Sequence, residues 1–145
     1  MISDARPLRR VEIVMPIGSD PGFADKQAAI GRGARLAGFQ ASFPDYQVLQ
    51  PAFQLSALIA HMRGAAVVLA DVTGERPSCY YEVGVAEALG IPTLLIAEAG
   101  TAIHQAGGRA EAKYYADLGD LEAVTAELLR CWAGAEAGAA ERRTA

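Results

Sequence analysis

Short apolar runs alternate with amphipathic stretches along the chain, and this alternation predicts an α/β architecture. One run, Ala66–Ala70, is apolar at every position, which is typical of a strand in a parallel sheet covered on both faces. The predicted strands are, in chain order, Val11–Met15, Phe39–Phe43, Ala66–Ala70, Thr93–Ala97 and a short edge strand at Tyr114–Ala116.

Four amphipathic stretches predict helices between and after these strands. The third helix is predicted to begin with Ser78 as its cap and to end at Leu89, where Gly90 stops it. From Gly134 onward the chain is rich in alanine, glycine and charge, which predicts a frayed tail. The apolar positions that mark the other helices are Phe23, Ile30, Ala34 and Ala37, then Leu55, Leu58, Ile59 and Met62, and finally Leu121, Val124, Leu128 and Trp132.

Together these elements predict a single flavodoxin-like domain of three layers, with a parallel sheet of four to five strands in the order 2-1-3-4-5. We assign residues 1–10 to an N-terminal extension, 11–133 to the domain and 134–145 to a flexible tail. In this strand order the loops after strands 1 and 3 diverge, and such sheets bind ligands in the crevice between them. We therefore expect the functional site in Met15–Gly22 and Asp71–Gly84.

The composition narrows the possible classes of function. The chain has 145 residues, is 52% hydrophobic and carries a formal net charge of −4, which argues against a disordered chain and a broad nucleic-acid-binding surface. Two cysteines are too few for a disulfide framework, and no paired Cys/His spacing predicts a metal site. Because the chain has no apolar run of membrane-spanning length and no signal-peptide pattern, we expect a cytoplasmic protein.

Two carboxylates stand where the crevice is predicted. Asp71 ends the third strand and Glu82 enters the following helix, so one ligand could reach both. A carboxylate in the first helical turn is kept ionised by the helix dipole, which suits a nucleophile or a base. The simpler alternatives are that Asp71 caps the turn at Thr73-Gly74 and that Glu82 only complements the helix terminus. A capping box would place the Glu at the position of Tyr81, so Glu82 is out of that register.

The loop Pro16–Gly22 forms the other wall of the expected crevice. Backbone N–H groups at Gly18 and Ser19 could hold a sugar hydroxyl or a 5′-phosphate, although an ordinary turn explains these residues equally well. The loop contains neither a Walker A motif nor a dinucleotide-binding glycine fingerprint. Three polar residues cluster near the predicted start of the third helix, namely Thr73, Arg76 and Ser78. These residues favour a phosphorylated ligand at the start of the helix. The alternative, a solvent-exposed loop without a ligand, is the more common interpretation of such a cluster.

Five further residues near the expected site have structural interpretations. Of Tyr80 and Tyr81, we expect one to pack in the core and the other to touch a ligand. We interpret His61 as a surface or helix-end histidine and Cys79 as a small buried residue. Gly84 is expected to let the third helix pack closely on the sheet.

The stretch from Ala70 to Pro92 (ADVTGERPSCYYEVGVAEALGIP) resembles the core motif of the nucleoside 2-deoxyribosyltransferase-like superfamily. That group includes deoxyribosyltransferases, nucleoside 5′-monophosphate N-glycosidases and, more distantly, TIR-like domains. The opening Val11–Gly18 (VEIVMPIG) is similar to the first strand and base-side loop of the group. The resemblance spans roughly residues 11–132, of which the core motif is the specific part.

This resemblance implies roles for the two acids. The Glu of the Tyr-Glu-x-Gly motif, which is the nucleophile in the superfamily, corresponds to Glu82. The Asp at the strand end, which helps to hold the sugar or assists the leaving base, corresponds to Asp71. The chain departs from the pattern in having Ser78 where most relatives have Asn, and Gly64-Ala65 where many have Asp. The residues expected to bind the substrate are Met15, Pro16, Ile17, Gly18, Ser19, Thr73, Arg76, Ser78 and Tyr81.

The resemblance also implies the partners. A small-molecule nucleoside or nucleotide is the expected ligand, with no cofactor, no nucleic acid polymer and no membrane. Relatives commonly build their sites at dimer interfaces, which implies a homodimer or a higher homo-oligomer. Tyr114 and Tyr115 could then line a neighbouring subunit's pocket, or they simply form the edge strand. Asp45 and Tyr46 could close over the sugar.

The implied function is cleavage of the N-glycosidic bond of a nucleoside or nucleoside 5′-monophosphate through a covalent glycosyl-Glu82 intermediate. Water or a second nucleobase resolves the intermediate, and the polar cluster at Thr73, Arg76 and Ser78 favours the hydrolysis of a nucleotide. The alternative is a TIR-like signalling module that binds or hydrolyses NAD or a cyclic nucleotide. A third hypothesis is a descendant that binds its ligand without turnover.

Overall fold

A computed structural model of the chain describes residues 7–18, 20–43, 54–104 and 111–145, and these contain a five-stranded parallel sheet. The strands are β1 (Arg9–Val14), β2 (Phe39–Ser42), β3 (Val67–Asp71), β4 (Thr93–Glu98) and β5 (Lys113–Tyr115). They lie in the order β2-β1-β3-β4-β5, and each neighbouring pair is parallel. The predicted flavodoxin-like order is therefore confirmed, with β1 beside β3 and Val11 paired with Val67.

Helices cover both faces of the sheet. They are α1 (Phe23–Leu36), α2 (Leu55–Arg63), α3 (Pro77–Ala88) and α4 (Leu118–Thr144). Helices α1 and α4 pack on one face, where the core includes Ile13 and Leu69. Helices α2 and α3 pack on the other face, where the core includes Val14 and Ala70. The strands are thus buried on both sides, which explains why the central runs of the sequence are apolar.

A close approach between α1 and α4 depends on one glycine. A Cβ atom at Gly33 would lie 2.5 Å from the carbonyl oxygen of Glu122 and 2.8 Å from the Cβ of Thr125. Gly84, by contrast, lies on the outer side of α3, and a Cβ there would meet no atom within 4 Å. The expectation that Gly84 allows close packing on the sheet is therefore wrong.

Helix α3 begins two residues earlier than a Ser78 cap would place it. Pro77 is its first residue, and Arg76 before it is extended with φ −66° and ψ 129°. Proline suits this first position because its ring fixes a helical φ and its missing N–H would have had no intrahelical acceptor. Ser78 lies inside the first turn instead of capping it.

Helix α4 is longer than its apolar stripe predicts. Asp117 caps it by accepting the N–H of Asp120 at 2.8 Å, and the helix continues to Thr144. The residues from Gly134 onward are therefore helical instead of frayed, because the alanine-rich sequence favours helix more than its two glycines oppose it. At the other end of the domain, β1 begins at Arg9, inside the segment we assigned to an extension.

No helix among the described residues combines the length and the apolar character that crossing a membrane requires.

Candidate active site

Asp71 closes β3 with its carboxylate fully engaged. Its Oδ1 accepts the backbone N–H of Thr73 at 3.0 Å and the Thr73 hydroxyl at 2.5 Å. Its Oδ2 accepts the hydroxyl of Tyr115 at 2.7 Å. The Thr73 contacts are those of a residue that caps the following turn, which is the structural alternative that the sequence left open.

The electrostatics at Asp71 reflect burial more than charge pairing. Burial raises the pKa of Asp71, and the bonds from Thr73 and Tyr115 and the positive charge of Lys26 oppose that increase. Burial, the negative charge of Asp71 and the bond to it also raise the pKa of Tyr115. Both groups are therefore held as a fixed hydrogen-bonded pair, and the arrangement suits Asp71 as a positioning residue for the loop after β3.

Lys26 in the first turn of α1 brings a positive charge to the same edge of the sheet. Its Nζ lies 2.7 Å from Oδ2 of Asp20 and 3.4 Å from Oε2 of Glu98. Burial alone would lower the pKa of Lys26, but the bond to Asp20 and the charges of neighbouring acids raise it, so the ammonium stays charged. Lys26 was not among the predicted site residues, although its place in the helical turn that follows the loop Pro16–Gly22 was a signal.

An open pocket of about 210 Å³ lies between the loops after β1 and β3. Three of the predicted substrate-binding residues line it, namely Pro16, Thr73 and Arg76. Asp20, Lys26, Gly74 and Glu98 complete its wall. The expectation of a crevice between these two loops is met by this pocket.

Glu82 lies on the opposite side of the sheet from Asp71. It is only 7% exposed, on the face of α3 that packs against β3 together with Cys79 and Val83. Asp71 follows Ala70, which faces α2 and α3, so strand alternation turns its side chain towards α1 and α4. Asp71 and Glu82 thus extend from opposite faces of the sheet, and the expectation that one ligand reaches both at its carboxyl edge stays a prediction.

The position of Glu82 in its helix also differs from the expectation. Because α3 begins at Pro77, Glu82 lies in the second turn, where the helix dipole acts weakly. The small buried Cys79 lies close enough to sense both acids: burial, with the charges of Glu82 and Asp71, raises its pKa to about 12. Cys79 is therefore a neutral thiol between the two acidic sites, as expected of a buried cysteine.

The two tyrosines before Glu82 differ in exposure, and contact of Tyr81 with a ligand stays a prediction. Tyr80 packs partly against the α2/α3 core and donates its hydroxyl to Oε1 of Glu75 at 2.8 Å. Tyr81 is 49% exposed. Both line a second open pocket, of about 610 Å³, with Glu75, Pro77 and His104.

A solved structure carries the same architecture. The structure of a 2-deoxyribosyltransferase from the psychrotolerant bacterium Bacillus psychrosaccharolyticus superposes on this chain with a TM-score of 0.58, at 17% sequence identity. The match covers 78% of this chain and 90% of that one. The chain has a deoxyribosyltransferase-like fold. No family model and no curated protein matches the sequence.

The remaining predicted site residues occupy varied places in this deoxyribosyltransferase-like fold. Met15 is buried in the α1/α4 core, Ile17 is partly buried, and Gly18 and Ser78 are exposed. Ser19 lies outside the described residues, as do Asp45 and Tyr46. Within the described ranges, no three His, Cys, Asp or Glu side chains are grouped so that they could hold a metal ion.

Proposed function

We propose that this protein cleaves the N-glycosidic bond of a nucleoside or nucleoside 5′-monophosphate, with Glu82 as the nucleophile. The observation that carries the proposal is a nearly buried carboxylate on the helix that follows β3. It occupies the Tyr-Glu-x-Gly motif of a chain whose fold matches a 2-deoxyribosyltransferase. A buried carboxylate with few solvent contacts is a stronger nucleophile than a hydrated one.

The proposed reaction has two steps. A carboxylate oxygen of Glu82 attacks the anomeric carbon, while the C–N bond breaks and its electron pair leaves with the base, which takes up a proton. Water or a second base then attacks the same carbon from the face that the first base left, and the ester bond to Glu82 breaks. A water molecule loses a proton in this step, and the carboxylate is regenerated. Two inversions give overall retention of configuration.

The pocket between the loops supports a nucleotide as the substrate. Arg76 and Lys26 place two positive charges at its wall, against the acids Asp20 and Glu98. Lys26 is already engaged by both acids, so Arg76 is the cation that we assign to a 5′-phosphate. A guanidinium beside the N-terminal end of α3 suits that group.

The test is release of free base. We would incubate the protein with a panel of ribo- and deoxyribonucleosides and their 5′-monophosphates, with NAD as a further substrate, and separate the products by chromatography. We expect the wild type to release base and Glu82→Gln to lose this activity. The control Glu87→Gln, on the exposed side of the same helix, should release base as the wild type does. Equal release by wild type and Glu82→Gln would contradict the proposal. Release of nicotinamide from NAD alone would favour the TIR-like alternative.

Two further measurements define the reaction. Adding a second base to the mixture distinguishes transfer, which yields a new nucleoside, from hydrolysis, which does not. A 2-fluoro-arabinosyl nucleoside traps the intermediate, and intact mass spectrometry followed by peptide mapping should locate the adduct on Glu82. Because relatives build sites at subunit interfaces, we also propose a homodimer, which sedimentation of the active protein tests.

A further inference from the structure

A buried polar cluster lies beneath α2 and α3, centred on Glu12 in β1. Glu12 is 0% exposed, and its Oε1 lies 2.9 Å from Nε2 of His61 on α2. The hydroxyl oxygen of Ser42, at the end of β2, lies 3.1 Å from the same ring nitrogen. The guanidinium of Arg10 donates to the carbonyl oxygen of His61. Glu12 was not among the predicted site residues, and His61 was interpreted as a surface or helix-end histidine; it lies in the last turn of α2.

The fold makes room for this cluster. A Cβ atom at Gly64, directly after α2, would lie 2.6 Å from Nη2 of Arg10. Glycine at that position therefore leaves space for the guanidinium that closes the cluster at its outer end. An ionised carboxylate in a central strand of a parallel sheet is costly to bury unless it is hydrogen-bonded. Neither carboxyl oxygen of Glu12 has a hydrogen-bond partner among the described residues, so burial favours its neutral form.

Glu12 and Glu82 face the same layer of the molecule. In β1, Ile13 faces α1 and α4 while Val14 faces α2 and α3, so strand alternation places Glu12 on the α2/α3 side. Helix α3 contacts β1 as well as β3, and Glu82 is on its buried side. Two carboxyl groups in one dry layer repel when both are ionised, and one of them then holds a proton.

The surroundings of Glu12 favour its protonated form. Burial raises the pKa of Glu12 to about 8, reinforced by the charge of Glu82 and opposed by the nearby Ser42 hydroxyl and the charge of Arg10. Burial and the charge of Arg10 lower the pKa of His61. Near neutral pH the Glu12–His61 contact therefore joins two neutral groups, although the distance between Oε1 and Nε2 is also that of an ion pair.

We infer that Glu12 is a positioning residue for Glu82: it stays protonated beneath α3, so that Glu82 is the carboxyl group that carries the negative charge. The inference rests on the proposed function, since it assigns the nucleophile to Glu82. When Glu12 loses its proton, a second negative charge enters the layer, displaces the Glu82 carboxylate and loosens α3 from β1. The charged or titratable groups that face Glu12 are Arg10 of its own strand, His61 from α2 and Glu82 from α3, and the neutral hydroxyl of Ser42 faces it from β2.

The first test does not depend on catalysis. In the folded protein Glu12 holds its proton up to about pH 8, whereas in the unfolded chain it releases the proton near its ordinary pKa of 4.5. The stability that this group contributes is therefore complete below the unfolded-state pKa and is lost as pH rises from 4.5 towards 8. Glu12→Gln, a neutral isostere, should remove this part of the slope of unfolding free energy against pH, while Glu87→Gln keeps it. Identical slopes for Glu12→Gln and wild type would overturn the inference.

The second test uses the pH profile of base release. In the wild type, kcat/KM should fall at alkaline pH with an apparent pKa near that of Glu12. Glu12→Gln should keep its activity above that pH. At neutral pH its kcat/KM should differ from that of the wild type by no more than about threefold. A limb that stays in Glu12→Gln, or a folded Glu12→Gln protein inactive at every pH, contradicts the inference. If the wild type releases no base at all, the proposed function fails, and the unfolding test still decides the state of Glu12.

A second variant guards against a Glu12→Gln protein that does not fold. The charge of Arg10 favours ionised Glu12, so Arg10→Met should move both the unfolding slope and the alkaline limb to higher pH. A folded Arg10→Met protein with both unchanged would also overturn the inference.

Discussion

The hydroxyl of Tyr115 on β5 donates to Oδ2 of Asp71 on β3 at 2.7 Å, across the intervening strand β4. The bond connects the edge of the sheet to the loop that carries Thr73 and Arg76. The same hydroxyl lies 3.3 Å from that of Thr73. The last strand therefore contributes to the candidate site even though it adds only three residues to the sheet.

Replacing Tyr115 with Phe should destabilise the fold. The substitution leaves the buried Asp71 carboxyl without one of its donors, and such a loss costs about 1–3 kcal/mol. Chemical denaturation measures the change in unfolding free energy. Tyr114→Phe is the matched control, because Tyr114 lies on the same strand and is 44% exposed. A Tyr115→Phe protein as stable as this control would show that the bond contributes nothing.

The α1–α4 contact predicts opposite effects for two glycines of the same helix. Gly33→Ala forces a Cβ atom against the backbone of α4, and overpacking of this kind costs about 1–3 kcal/mol. Gly31→Ala meets no atom within 4 Å and should gain up to about 1 kcal/mol from helix propensity. Thermal unfolding of the two variants compares them directly, and a Gly33→Ala protein at least as stable as the wild type would argue against this close packing.

If Glu82 is the nucleophile, a small anion should replace it. In Glu82→Ala the space of the carboxylate is vacated, and added azide should attack the anomeric carbon from that side, yielding a glycosyl azide of inverted configuration. We expect the variant to lose at least about a thousandfold in kcat without azide, and NMR of the product reports its configuration. Rescue that gives only the retained product would place the nucleophile elsewhere.

Arg76 should distinguish nucleotides from nucleosides. Arg76→Ala removes the cation that we assign to the 5′-phosphate and should raise KM for a 5′-monophosphate about tenfold, with little effect on the matching nucleoside. Arg142→Ala, exposed near the end of α4, controls for the change in net charge. Equal effects on both substrates would mean that the guanidinium does not contact phosphate.

Much of the architecture was predictable because it follows from local patterns. The apolar runs give the strands, and the right-handed crossover rule with short connections leaves few orders, so the placement of β1 beside β3 follows. The carboxylate of Glu82 could be singled out since it stands in a continuous motif. Its burial on the sheet-facing side of α3 agrees with its helical spacing from Cys79 and Val83.

Other features depend on contacts that no local pattern encodes. Glu12 is one polar residue in an apolar strand, and its partner His61 arrives from α2 only in the folded chain. The face to which Asp71 points depends on the register of β3 in the sheet, because a shift of one residue moves every side chain to the other face. The start of α3 at Pro77 likewise places Glu82 in the second turn. The helix dipole stabilises a negative charge mainly in the first turn, so it contributes little at Glu82.

The hydrogen bonds that hold Asp71 have a consequence for leaving-group chemistry. In the proposed reaction the base departs from the face of the sugar opposite to Glu82, so its proton has to come from a group other than the nucleophile. Both carboxylate oxygens of Asp71 already accept hydrogen bonds, from Thr73 and Tyr115, which makes Asp71 a poor proton donor. If no other acid assists, the departing base bears much of its own charge in the transition state, and rates over a series of substituted bases should rise steeply as the bases become more acidic, a linear free-energy relationship of the kind seen when general-acid assistance is weak.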